Sequence, residues 1–131
     1  MITDGSKSFL APSFDHAASL GRNESIEKMR EILASKDEGR QISAYVSRSK
    51  SHFYSGNERL KTLAAFLSFG QYRKKATMEW LTRLETFDHD SMFLIVNGVP
   101  EAMMGSIEKE FCMGILIANK NRILQNKELF I

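Results

Sequence analysis

One stretch near the start of the chain combines residue types that could do chemistry: "SFLAPSFDHAASLGRN", residues 8–23. It sets a single carboxylate, Asp15, beside His16, after Phe14 and before a run of small residues that ends on Gly21, Arg22 and Asn23. An aspartate in a tight loop can cap the turn or the helix after it, because its oxygens accept backbone N–H bonds. His16 can likewise be a turn histidine bonded to backbone, and Arg22 can pair with Glu24 or meet an anion. A second stretch, residues 40–54, interleaves Arg40, Arg48 and Lys50 with Tyr45, Phe53 and Tyr54. Basic side chains among aromatic ones suit a surface that docks nucleic acid or peptide. Arg73, Lys74 and Lys75 add a second basic cluster, although a short basic run also describes an ordinary solvated face.

Other chemistries are poorly served. His16, His52 and His89 stand far apart in sequence and in no metal-ligand spacing, so a zinc site is not expected. The one cysteine, Cys112, cannot form a disulfide within the chain, and its apolar surroundings suit a small buried hydrophobe better than a nucleophile. The chain has 131 residues, 43% hydrophobic and 26% charged, with a formal net charge of +2. Those values fit one globular domain with a real core. The small net charge neither demands nor excludes an anionic partner. No apolar run reaches the roughly 18–20 residues of a membrane span, and "MITDGSKS" has no apolar signal region, so a cytoplasmic protein is expected.

The elements that would position these residues are mostly helical. Residues 8–11 read as a short strand with no evident partner, ended by Pro12. Asn23 is placed to cap a helix carrying Ile26, Met29, Ile32 and Leu33, with Gly39 just past its end. Ile42, Tyr45 and Val46 suit a short helix, and the serines after them suit a loop. Leu60, Leu63, Ala64 and Leu67 predict one helix stopped by Gly70, and Met78, Leu81 and Leu84 another. "SMFLIVNGV" fits either a strand entering a turn or a helix capped by Asp90 or Ser91. Ser106 is placed to cap the longest helix, whose middle, "FCMGILIA", is apolar nearly all round and therefore central. Gly114 within it would let a neighbouring helix approach closely.

The block "LAPSFDHAASLGRN" resembles the segment that follows the catalytic loop in HipA-like serine/threonine kinases. "AYVSRSKSHFY", "WLTRLETFD" and "MGSIEKEFCMGILIANKNRIL" match the same layout, so the resemblance covers nearly all of residues 8–125, with the first block its specific part. It implies a mainly α fold, the helical C-terminal kinase subdomain with a short N-terminal strand and loop: residues 1–23 would be the metal loop and 24–131 the helical bundle. It places Asp15 where these kinases carry the DFG aspartate, a ligand of the Mg²⁺ that bridges nucleotide phosphates, and it sets His16 near the nucleotide and Arg22 within reach of phosphate. The intact family uses Mg²⁺ and ATP. Its D-x-H-x-x-N catalytic loop and Gly-rich phosphate loop do not occur in this sequence.

The resemblance therefore implies a lobe with no catalytic residue of its own, inactive alone. It would be the product of a truncated or split gene, needing a nucleotide-binding half or self-association. By the same analogy a DNA-binding antitoxin, of a toxin–antitoxin pair, is a partner. The other reading that the residues allow is a small helical module that binds protein or nucleic acid through residues 40–54, with Arg48 and Lys50 as its contacts.

Overall fold

The computed structural model describes residues 2, 3, 8, 9 and 19–131. Two short strands, β1 (Ile2–Thr3) and β2 (Ser8–Phe9), come first. Helices α1 (Ile26–Ala34) and α2 (Ile42–Ser47) follow, then a hairpin of β3 (Lys50–Ser55) and β4 (Glu58–Lys61). Helices α3 (Thr62–Gln71), α4 (Lys74–Thr86), α5 (His89–Asn97) and α6 (Ser106–Leu124) complete the chain with a closing 3-10 turn, Lys127–Phe130. The fold is mainly α, as expected. Asp15 and His16 lie outside the described residues.

Two strand assignments differ from the expectation. The opening strand does have a partner: β1 and β2 pair antiparallel, with Ile2 opposite Phe9 and Thr3 opposite Ser8. The loop expected after α2, and the helix turn expected at Leu60, are instead the hairpin, so the bundle is interrupted at residues 50–61. Gly56 supplies the positive φ, +58°, at the first position of its two-residue turn.

Helix α6 is the axis of the core. Phe111 is fully buried, and Cys112, Met113 and Ile115 are nearly so. Consecutive buried positions need partners on several sides, and α6 has them. Met29 and Ile32 of α1 and Val46 of α2 pack on Phe111 and Ile115. Met92 and Val96 of α5 pack on Cys112 and Met113. Burying one such side chain contributes about 1.5–3 kcal/mol, and the Tyr45 ring adds an edge contact on Phe111 at a centroid distance of 5.2 Å. On a third side Lys120 donates to the carbonyls of Glu85 and Phe87, which ties the end of α4 to α6.

Caps fix the helix starts, each one to three residues from the expected positions. Ser25, not Asn23, caps α1 by accepting the Lys28 N–H at 3.2 Å. Asp88 caps α5 by accepting the Ser91 N–H at 2.7 Å, and this bond holds its carboxyl below the usual carboxylate range. That cap makes "FLIV" helical. Met92 and Val96, four residues apart, turn inward, while Leu94 and Ile95 remain 72% and 65% exposed. Gly105 stands at the start of α6, its N–H bonded to the Glu108 carboxylate at 2.8 Å. Gly70 falls inside the last turn of α3 and does not stop it; the Phe130 ring fills the space beside its Cα.

Candidate functional site

The described end of the "LAPSFDHAASLGRN" block is a turn at Ser19–Asn23. Leu20 and Gly21 both take left-handed backbone, φ +54° and +80°. Arg22 N–H bonds Ser19 O at 3.1 Å and Glu24 N–H bonds Gly21 O at 2.9 Å, which closes the turn just before α1. A left-handed leucine is costly and persists only where its surroundings enforce it. Here Phe111 and Ile115 of α6 press against Gly21, so the turn is seated on the core. Arg22 projects from it, exposed, and makes no ion pair with a described residue. The carboxylate expected to pair with it, Glu24, instead accepts the Tyr45 hydroxyl at 3.0 Å.

The basic-aromatic stretch is split by the fold. Arg40 faces Asp37 at 3.7 Å in an exposed pair. Arg48 turns back to donate to the carbonyls of Gly39 and Ala44, closing the loop between α1 and α2. Tyr45 points into the core. Lys50 alone of the expected contacts faces outward unpaired, on β3 directly opposite Lys61 of β4. Tyr54 lies opposite Arg59, and Arg59 reaches the His52 ring nitrogen at 3.4 Å. One face of the hairpin thus carries Lys50, Tyr54, Arg59 and Lys61, and the Arg59 contact brings His52 to it from the irregular stretch of β3 between Lys50 and Tyr54. Phe53 takes the other face and packs edge-on against Phe69 at 4.7 Å. Arg59 and Lys61 were not among the candidates, because residues 58–61 read as the start of a helix. The signal that could have found them is "SGN", a turn dipeptide with its flanks, between two polar runs.

The second basic cluster caps nothing favourably. Lys74 and Lys75 sit at the positive end of α4, while Lys74 reaches the Ile131 carbonyl at 3.5 Å. His89 stacks over Phe93 and lies 3.7 Å from Asp90. Among the described residues, no three His, Cys, Asp or Glu side chains converge as a metal site, and no helix is long and apolar enough to cross a membrane.

A trough of about 880 Å³ is floored by α6, with α1 and α2 on one side and α3 on the other. Ile32, Ile42, Leu63, Leu67 and Ile117 make it apolar. Lys61 and Arg122 line it as well, with no acidic residue among the described residues of its walls. Arg122 donates to the carbonyl of Val46 and lies 3.4 Å from Thr62 Oγ1; its partial burial lowers its pKa.

Comparison with models of known protein families, with characterised proteins and with solved structures finds no match to this chain.

Proposed function

We propose that this chain is the helical C-terminal lobe of a HipA-like serine/threonine kinase, working in the cytoplasm with a nucleotide-binding half that completes the site. The observation that carries the reading is the block "LAPSFDHAASLGRN" with Asp15 at its centre. The mainly helical fold is what the reading requires. The seating of Gly21 on Phe111 also supports it, since a loop that must present a metal ligand needs a fixed base. Bound Mg²⁺ would offset charge on the nucleotide phosphates. On this reading Asp15 offers it one oxygen donor, His16 stands beside the nucleotide, and exposed Arg22 supplies a cation for phosphate. The remaining ligands and the catalytic base come from the other half.

The test is to express the chain together with the nucleotide-binding half of a HipA-like kinase and titrate the purified pair with Mg²⁺–ATP. Binding by the pair, absent from either half and lost in Asp15→Asn, is the expected result. Failure of the halves to associate, or Mg²⁺–ATP binding indifferent to Asp15→Asn, overturns the reading.

The outward face of the hairpin favours a second reading, a binding module for an anionic macromolecule. Four of its five side chains are basic or can become so, and a two-stranded ribbon fits a nucleic-acid groove. The discriminating variants are Lys50→Ala and Arg59→Ala. Arg48→Ala would disturb the α1–α2 loop instead. Salt-sensitive binding of a DNA duplex by the chain alone, weakened by both variants, would support this reading over the first.

A further inference from the structure

The trough over α6 has the build of a ligand site, and its charge says which ligand. Its floor runs from Gly114 to Gln125, twelve residues, whose eleven steps span about 16 Å at 1.5 Å each. Its volume lies within the range of pockets that hold small molecules. At the end of the floor nearest the hairpin stand Lys61 and Arg122, with Lys50 on the same hairpin face opposite Lys61. Among the described residues Arg122 meets a carbonyl and a hydroxyl, and no carboxylate. Two lysines directly opposite across a ladder repel each other. Two cations thus line one end of an apolar channel, with Lys50 beside Lys61 on the hairpin, and among the described residues no acidic side chain lines it.

We infer that the trough binds an anionic amphiphile, a carboxylate or phosphate head at Lys61 and Arg122 with an apolar chain lying along Ile117, Leu63 and Ile42. An anion there would relieve the Lys50–Lys61 repulsion and give Arg122 a charged acceptor. The chain would cover side chains that otherwise face an open groove. The length of the floor suits an acyl chain of about a dozen carbons.

The experiment is a calorimetric titration of the full chain with dodecanoate, dodecyl phosphate, dodecanol and inorganic phosphate, the two ionic amphiphiles below their micelle concentrations and dodecanol below its solubility. The two anionic amphiphiles should bind, one more tightly than the other according to whether the site is tuned to carboxylate or phosphate. Dodecanol and inorganic phosphate should each bind at least about tenfold more weakly, since each lacks one half of the ligand; tenfold is about 1.4 kcal/mol. Lys61→Gln, on the exposed hairpin, should weaken dodecanoate about tenfold and leave the circular dichroism spectrum unchanged. Ala118→Phe should block the chain but not the head. Equal binding of dodecanol and dodecanoate, or dodecanoate binding unaffected by Lys61→Gln, overturns the assignment. So does a single-stranded oligonucleotide that outcompetes dodecanoate, which would make the cations part of a nucleic-acid surface.

Discussion

Gly21 lies against Phe111: a β-carbon at Gly21 would stand 2.5 Å from Cε1 of that ring. The ring is fully buried and the backbone at Gly21 is left-handed, so neither partner can yield cheaply. Gly21→Ala should therefore destabilise the chain by about 2–3 kcal/mol, combining the cost of overpacking with that of a non-glycine residue at positive φ. For a domain of this size that lowers Tm by several degrees, read from thermal unfolding followed by circular dichroism. A Tm equal to the parent's would mean that the turn is not seated on α6.

A second long-range tie joins the same region to α2. The Tyr45 phenol donates to Glu24 Oε1 at 3.0 Å, and its pKa is pushed up to about 12 by burial, then by the bond to Glu24 and the charge of that carboxylate. An unfolded tyrosine titrates near 10. The folded state thus holds the proton more tightly, and the stability this gives is complete below about pH 10 and is lost as pH rises towards 12. Urea unfolding should show the parent losing stability with pH across that window more steeply than Tyr45→Phe. At neutral pH the variant should be weaker by about 0.5–1.5 kcal/mol, the worth of one hydrogen bond. Parallel pH profiles for the two proteins would refute the Tyr45–Glu24 tie.

What the sequence reveals follows from how each residue is buried. Met29 and Ile32 lie three apart on α1 and both turn inward, so their spacing announces the helix. The apolar run in α6 is legible for the same reason, since partners on every side leave no polar face. The hairpin hides because "KSHFYS" is almost wholly exposed; only Ser51 in β3 is half-buried, so no apolar alternation marks the strand. β1 and β2, two residues each, are too short to carry a period. The candidate site divides in the same way. Lys50 is legible as a surface cation, but Lys61 and Arg122 become neighbours across one trough only through the hairpin and the long-range packing of α6.

Cys112 sits on the side of α6 that meets α5, only 3% exposed, and burial pushes its thiol pKa up. Both effects deprive it of thiolate and access, so it should behave as core and not as nucleophile. Alkylation by iodoacetamide should be slower in the native chain than in denaturant by about a hundredfold or more. Local opening that costs about 3 kcal/mol already leaves only about one molecule in a hundred reactive. Native labelling at the rate of a free thiol would show that Met92 and Val96 do not cover it.

Ile42 of α2 rests on the bare Cα of Gly114, its Cδ1 occupying the space where a β-carbon would go. Two effects oppose each other at this position. Alanine favours a helix over glycine by about 1 kcal/mol. The added carbon must also displace Ile42, at a cost of about 1–3 kcal/mol. In the parent the clash should win, and Gly114→Ala should lower stability by roughly 1 kcal/mol on that balance. Ile42→Val removes Cδ1, the atom in the way. In that background the same substitution should become neutral or stabilising by up to about 1 kcal/mol, because only the helix preference remains. Urea midpoints of the four proteins give a coupling energy, expected at about 1–2 kcal/mol for side chains in contact. Additive effects would mean that α2 does not approach α6 at Gly114, and the wall of the trough that Ile42 builds would have to be redrawn.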